Sequence, residues 1–282
     1  MGRCRRHRPI FIYLLCYNTQ MKPKKSFGQN FLTSGKAVFE IIKAGNIQKE
    51  EVILEIGPGK GALTEKILET GAKLIAIEKD KDLIPFLEEK FQKELKNKQL
   101  ILLREDILNI DLNKFLKKEL KVQNYKLIAN IPYYITGAII EKFLSSSQKP
   151  SKIVLLVQKE VAERIVARDK KESILSLAVK LYGNPRLIYK VSAGSFFPKP
   201  KVDSAVLEID IKNKEINKKI EEKYFKIVKS AFAHKRKVML SNLKNEFQNT
   251  DWKKLFEKLK LDKKVRAENL NTETFLKIAE NI

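Results

Sequence analysis

Four consecutive residues, Asn130-Ile131-Pro132-Tyr133, have the types needed to work on an aromatic amine. Such an amine is a poor nucleophile because its lone pair is delocalised into the ring. Hydrogen bonds accepted by the Asn130 side-chain oxygen and by the Ile131 carbonyl would localise that pair and aim it at an electrophile. Tyr133 would stack on the base, and Pro132 would fix the turn so that the carbonyl points inward. Asn rather than Asp at position 130 suits orientation, not proton removal. The same tetrapeptide also reads as a strand end with an Asn-Pro turn and a core tyrosine.

A second group lies upstream in Gly57-Pro58-Gly59-Lys60-Gly61, where glycines at alternate positions let a backbone turn sharply and approach a ligand. Glu78 stands 21 residues beyond Gly57, where a carboxylate can accept from a ribose diol. Asp106 is placed to accept from an adenine amino group, and also reads as a helix cap or turn residue. Together these residues specify a nucleoside cofactor. A dinucleotide site calls for G-x-G-x-x-G with a helix N-terminus on the pyrophosphate. The chain instead has G-x-G-x-G preceded by Glu55. That spacing favours S-adenosylmethionine, whose sulfonium is a good leaving group; a dinucleotide or a purely structural turn stays open on this segment alone. Methylation of adenine within RNA needs an unstacked base held between aromatic groups. Phe196, in Ser195-Phe196-Phe197-Pro198-Lys199-Pro200-Lys201, is the second aromatic expected on that base, with Lys199 and Lys201 on phosphates. A core role suits either phenylalanine equally.

The elements that must position these residues follow from apolar patterning. Ser34 is an N-cap for a helix closed by Gly45. Glu51 to Ile56 is a buried strand running into the glycine turn, followed by a helix over 61–70 and a strand from Lys73 to Glu78. A helix over 80–96, a strand from Gln99 to Arg104, a strand from Lys126 to Asn130, a helix near 137–146 and a strand from Ser151 to Gln158 continue the alternation. Strands rich in Ile, Leu and Val between helices predict a doubly wound, mostly parallel α/β sheet covered on both faces. Stretches near 186–191 and 202–211 suit an antiparallel edge pair. Beyond a boundary near 212–214, apolar residues recur only at helical spacing. The expected organisation is a cofactor-binding domain over 21–213 and a small helical domain over 214–282. The latter carries 18 Lys and Arg against 10 Asp and Glu, which marks it as the RNA-binding surface.

The charge supports that assignment: 57 Lys and Arg against 34 Asp and Glu give +23, pointing to a polyanionic partner over a merely solvated basic surface. Residues 1–20 differ from the rest, with Arg3, Arg5, Arg6 and Arg8 ahead of a short apolar run from Ile10 to Tyr17. A membrane span needs about 20 apolar residues, so this segment reads as a non-native or mis-started extension, with Met21 an alternative start. Both cysteines, Cys4 and Cys16, lie there, and the histidines are His7 and His234. A cytoplasmic protein with neither disulfide nor metal site is expected.

The chain resembles the rRNA adenine N6-dimethyltransferases. The resemblance rests on Phe27-Gly28-Gln29-Asn30-Phe31-Leu32, Glu55 to Gly59, Asn130 to Tyr133, Gln158-Lys159-Glu160-Val161, Phe196 to Ser204 and Ala231 to Lys237, and spans everything from Lys24 onward. Pro58, the Gln158 segment, Asp203 and the basic tail place it nearer the small-subunit enzymes than the large-subunit macrolide-resistance methylases. The resemblance implies that Asn30 and Leu32 join Gly57, Glu78, Asp106 and Asn130 around S-adenosylmethionine. It implies that Tyr133 and Phe196 flank the target adenine, so that Asn130, Tyr133 and Phe196 form the catalytic set. The implied substrate is a pair of adjacent adenosines near the 3′ end of 16S rRNA in the immature small subunit, bound by a monomer without membrane contact. A large-subunit methylase and a non-catalytic ribosome-assembly factor are the alternatives. The family often has Leu and Asn where this chain has Ile131 and Tyr134; only the backbone matters at the first.

Overall fold

The computed structural model describes residues 22–282 except 120, 213, 214, 235 and 236. The extension with Cys4, His7 and Cys16, part of the expected boundary, and Lys235 and Arg236 lie outside the described residues. In chain order the main elements are β1 (Phe31–Leu32), α1 (Gly35–Gly45), β2 (Val52–Ile56), α2 (Ala62–Glu69), β3 (Lys73–Glu78), α3 (Ile84–Lys90), α4 (Gln92–Lys96) and β4 (Leu100–Arg104). There follow β5 (Lys126–Asn130), α5 (Thr136–Ser145), β6 (Lys152–Gln158), α6 (Lys159–Val166), α7 (Ile174–Tyr182), β7 (Gly183–Val191), β8 (Phe196–Phe197) and β9 (Ser204–Ile211). The helices α8 (Lys218–Ala231), α9 (Met239–Glu246), α10 (Trp252–Lys258) and α11 (Thr272–Glu280) complete the chain.

Seven strands form one sheet in the order β4-β3-β2-β5-β6-β9-β7. The first five are parallel, and β9 and β7 close the edge as the expected antiparallel pair. Alternate residues serve opposite faces, as the pleat requires. Ile53, Leu74, Ile128 and Val154 share a core with α1, α2 and α3. Leu54, Ile75, Leu127 and Ile153 share the other core with α5, α7 and the C-terminal helices, so one apolar cluster runs from the sheet to Trp252 and Phe275. The order reverses between β2 and β5, which opens a crevice at their C-terminal ends.

Three local expectations are revised. Gly45 does not close α1: Asn46 caps it in the left-handed region (φ 42), whereas a Cβ on Gly45 would sit 2.6 Å from Ile128 Cδ1. Position 45 is glycine so that the helix can lie against β5. The single helix over 80–96 is two, α3 and α4, broken at Phe91 (φ −112, ψ 28), whose ring lies beneath Gly61. Helices α6 and α7 fill the stretch between β6 and β7, and β7 starts at Gly183, directly after α7.

Candidate active site

The crevice is a cavity walled by the glycine turn after β2, the ends of β3 and β4, the tip of β5 and the segment Phe27 to Leu32. Asn30, Leu32, Gly57, Glu78, Asp106, Asn130 and Tyr133 all line it. Glu78 and Asn130, contributed by strands on either side of β2, therefore face a common space.

Gly57 and Gly59 take φ of 66 and 60, the left-handed region where a side chain is strained. A Cβ on Gly57 would project into open space, and one on Gly59 would come 3.1 Å from the Phe31 ring. This turn can thus present bare backbone to a ligand. Glu78 is 6% exposed; it accepts from the backbone N–H of Gly59 (3.2 Å) and of Asp80 (2.8 Å). Burial pushes its pKa up, against the pull of those two N–H groups. Glu55, 1% exposed, accepts from the Thr64 hydroxyl at 2.7 Å, and burial raises it to about 8 despite that bond. Glu55 is therefore mostly neutral at pH 7. Burial also opposes ionisation of Asp106, but hydrogen bonds from Lys79 (2.8 Å) and the Leu108 N–H (3.0 Å) prevail and hold it below the usual carboxylate range.

At the tip of β5 the Asn130 amide is oriented by the N-terminal segment: Nδ2 donates to the Asn30 carbonyl at 3.3 Å, which leaves Oδ1 to accept. Ile131 lines the cavity while its side chain is anchored in the core at 2% exposure, so position 131 offers backbone. The Tyr133 hydroxyl is bonded to Ser204 Oγ (2.6 Å), and burial raises its pKa against that bond. Tyr134 is 65% exposed at the rim, where its ring packs on Gly28.

Phe196 stands apart from the other expected site residues. It is 4% exposed, paired with Leu32 between β8 and β1, and absent from the cavity wall. The apolar core under α1 claims its ring, while Phe197 turns outward at 61% exposure. Tyr133 lines the cavity and Phe196 does not.

Sequence reasoning missed the clamp that holds the segment Phe27 to Leu32 in place. Lys24 Nζ bridges Asp80 and Asp82 at 2.5 Å each, and Gln29 Nε2 donates to Asp80 at 2.7 Å. Burial opposes ionisation of Asp80, yet these partners keep it below its ordinary range. Asp80 and Asp82, alternating with lysines after Glu78, were the available signal, but the partner Lys24 lies 56 residues before Asp80. Among the described residues no group of His, Cys, Asp and Glu is arranged to hold a metal, and no helix is long and apolar enough to cross a membrane.

The chain is similar to known proteins over nearly all of its length. The family model for ribosomal RNA adenine dimethylase matches residues 20–282. The ribosomal RNA small subunit methyltransferase A of Mycoplasmopsis pulmonis is 41% identical over 258 residues, 90% of this chain and 97% of that protein. Among solved structures, a dimethyladenosine transferase from Plasmodium falciparum superposes with a TM-score of 0.74 at 27% identity, over 88% of this chain and 95% of that one. The 23S rRNA methyltransferase ErmE gives 0.73 at 21% identity, over 89% and 98%, and so shares the fold. With its glycine turn, buried Glu78 and Asn130 in one crevice of this sheet, the chain belongs to the ribosomal RNA adenine dimethylase family.

Proposed function

We propose that the protein transfers methyl groups from S-adenosylmethionine to N6 of two adjacent adenosines near the 3′ end of 16S rRNA, dimethylating each within the immature small subunit. It acts as a monomer in the cytoplasm. The observation that carries this reading is the common cavity of Glu78 and Asn130: a nucleoside-binding carboxylate and an amine-orienting amide face one space. The small-subunit choice follows the 41% identical relative rather than the 21% identical large-subunit one.

Glu78 would hold the ribose diol, Asp106 the adenine amino group, and Gly57, Asn30 and Leu32 the rest of the cofactor. When bound, the cofactor supplies an electrophilic methyl on sulfonium. Asn130 Oδ1 and the Ile131 carbonyl would accept the two hydrogens of the target amine and raise its nucleophilicity. Tyr133, held by Ser204, would stack on the base, and its raised pKa keeps it from serving as a base near neutrality. No residue from Asn130 to Tyr133 is a competent proton acceptor, so the proton of the methylated amine leaves to water. Phe196 supports the neighbouring loop from beneath, and Lys199 and Lys201, both exposed, contact phosphates. Residues 21–213 form the cofactor domain and 214–282 the RNA-binding one, its charge on exposed lysines such as Lys219, Lys223 and Lys229.

Labelled methyl transfer to unmethylated small subunits, with the modified positions mapped by primer extension, tests this reading. Label confined to the adjacent adenosines is expected. Label in large-subunit RNA would support the macrolide-resistance alternative, and no label a binding-only factor.

A further inference from the structure

The segment Gln158-Lys159-Glu160 has no part in the chemistry above, yet it sits at the tip of β6, the strand beside β5. It lines a second cavity together with Glu163, Val202 and Asp203. One residue joins the two cavities: Ser204 pairs with Gln158 across β6 and β9, and its hydroxyl is bonded to that of Tyr133 at 2.6 Å. Asp203, immediately before it, is near enough to oppose ionisation of the Tyr133 hydroxyl. The second cavity is therefore linked through Ser204 to the hydroxyl end of Tyr133, the residue proposed to stack on the target base.

The lining selects a particular chemistry. Gln158 precedes α6 but makes no side-chain capping bond to it, so its amide is not committed to the helix. An amide reads adenine by accepting from N6 and donating to N7. The remaining polar groups are mostly acceptors. Asp203 is fixed through Oδ1, which accepts from the Ala193 N–H at 2.9 Å, and Glu163 is held by its ion pair with Arg168. Carboxylates welcome an exocyclic amine and repel a carbonyl edge such as that of uracil. Val202, 45% exposed, offers an apolar face to a ring, and Lys159 a positive charge to a phosphate.

We infer that this second cavity holds the adenine next to the one being methylated, recognised by Gln158 through its free amine. The inference rests on the two-adenosine reading above. Parking the neighbour keeps the extruded base from restacking on it, so Gln158 acts as a substrate-binding residue that raises kcat/KM for the adjacent position.

The test uses small subunits reconstituted with 16S rRNA in which each adenosine in turn is replaced by purine riboside, which keeps the ring and lacks the amine. The readout is kcat/KM for labelled methyl transfer to the remaining adenosine. Wild-type protein should lose about tenfold on at least one replaced RNA, the loss of one base-specific amide contact. Gln158→Ala, which gives up the N7 donor as well as the N6 acceptor, should lose at least that much already on the native RNA and show no preference between the two RNAs. Gln158→Glu keeps an acceptor for N6 and lacks the donor to N7, so it should lose rate on both RNAs and still prefer the native one. Wild-type affinity for S-adenosylmethionine in each variant shows that it is folded. If Gln158→Ala lowers the rate by the same factor on both RNAs, or leaves the wild-type preference intact, the second cavity does not hold the neighbour. Wild-type protein that labels neither RNA removes the dimethylase reading itself, and this inference with it.

Discussion

Replacing Glu55 by Gln should change how stability depends on pH, and the size of the change follows from burial. The folded-state pKa is raised from 4.5 to about 8, chiefly by desolvation, with the Thr64 bond acting the other way. A carboxyl raised in the folded state keeps a proton that the unfolded chain has released, so stability is lost as pH climbs through the window from 4.5 to about 8. Each pH unit inside the window costs about 1.4 kcal/mol. The cost is about 1 kcal/mol at about pH 5 and about 3 kcal/mol at about pH 7. Gln has the shape of the protonated acid and retains an oxygen for the Thr64 hydroxyl, but it does not titrate. The variant's advantage over wild type should therefore grow by about 2 to 3 kcal/mol between about pH 5 and 7, then level off above about pH 8. Glu78 and the other titrating groups are common to both proteins and largely cancel in the difference. Urea unfolding of both proteins at several pH values measures the gap. A gap constant within about 0.5 kcal/mol across the window would show that Glu55 is ionised in the folded protein and refute the reasoning.

Asn130→Ala should lower single-turnover methyl transfer by about 100-fold or more, as loss of a transition-state contact does; RNA affinity in a filter-binding assay should change by less than about twofold, because the amide acts on the amine rather than on the backbone. Glu78→Ala should weaken S-adenosylmethionine binding by about tenfold or more in calorimetry, since a hydrogen-bonded carboxylate is lost; unchanged affinity would move the ribose elsewhere. The single-turnover rate at saturating cofactor and RNA should be nearly flat between about pH 6 and 7.5, because the β5 tip supplies no general base; a rise of about tenfold per pH unit would reveal one.

What the sequence made legible, and what it hid, divides along a physical line. Gly57, Glu78, Asp106 and Asn130 come together at one cavity because each ends or follows a parallel strand, and such strands are local apolar runs that show in any short window. Gly45 misled because a glycine that ends a helix and one that lets a helix approach a strand look alike without Ile128 in view. Helices α6 and α7, of 8 and 9 residues, are too short to show a clear helical period among the lysines around them. Phe196 and Phe197 could not be told apart because β8 has only those two residues, so no alternation exists to assign their faces. Their sides are set by the pairing with Phe31 and Leu32, more than 160 residues earlier, whose own neighbours wall the cavity. The charge states were equally hidden. Burial holds Glu55 mostly neutral against the pull of the Thr64 hydroxyl and the Lys90 charge, whereas Asp106, in the same cavity, is kept ionised by the Lys79 ammonium at 2.8 Å. Sequence spacing thus brings these groups to one cavity, while their ionisation is decided by burial and by partners that only the fold supplies, Thr64 on α2 and Lys79 after β3.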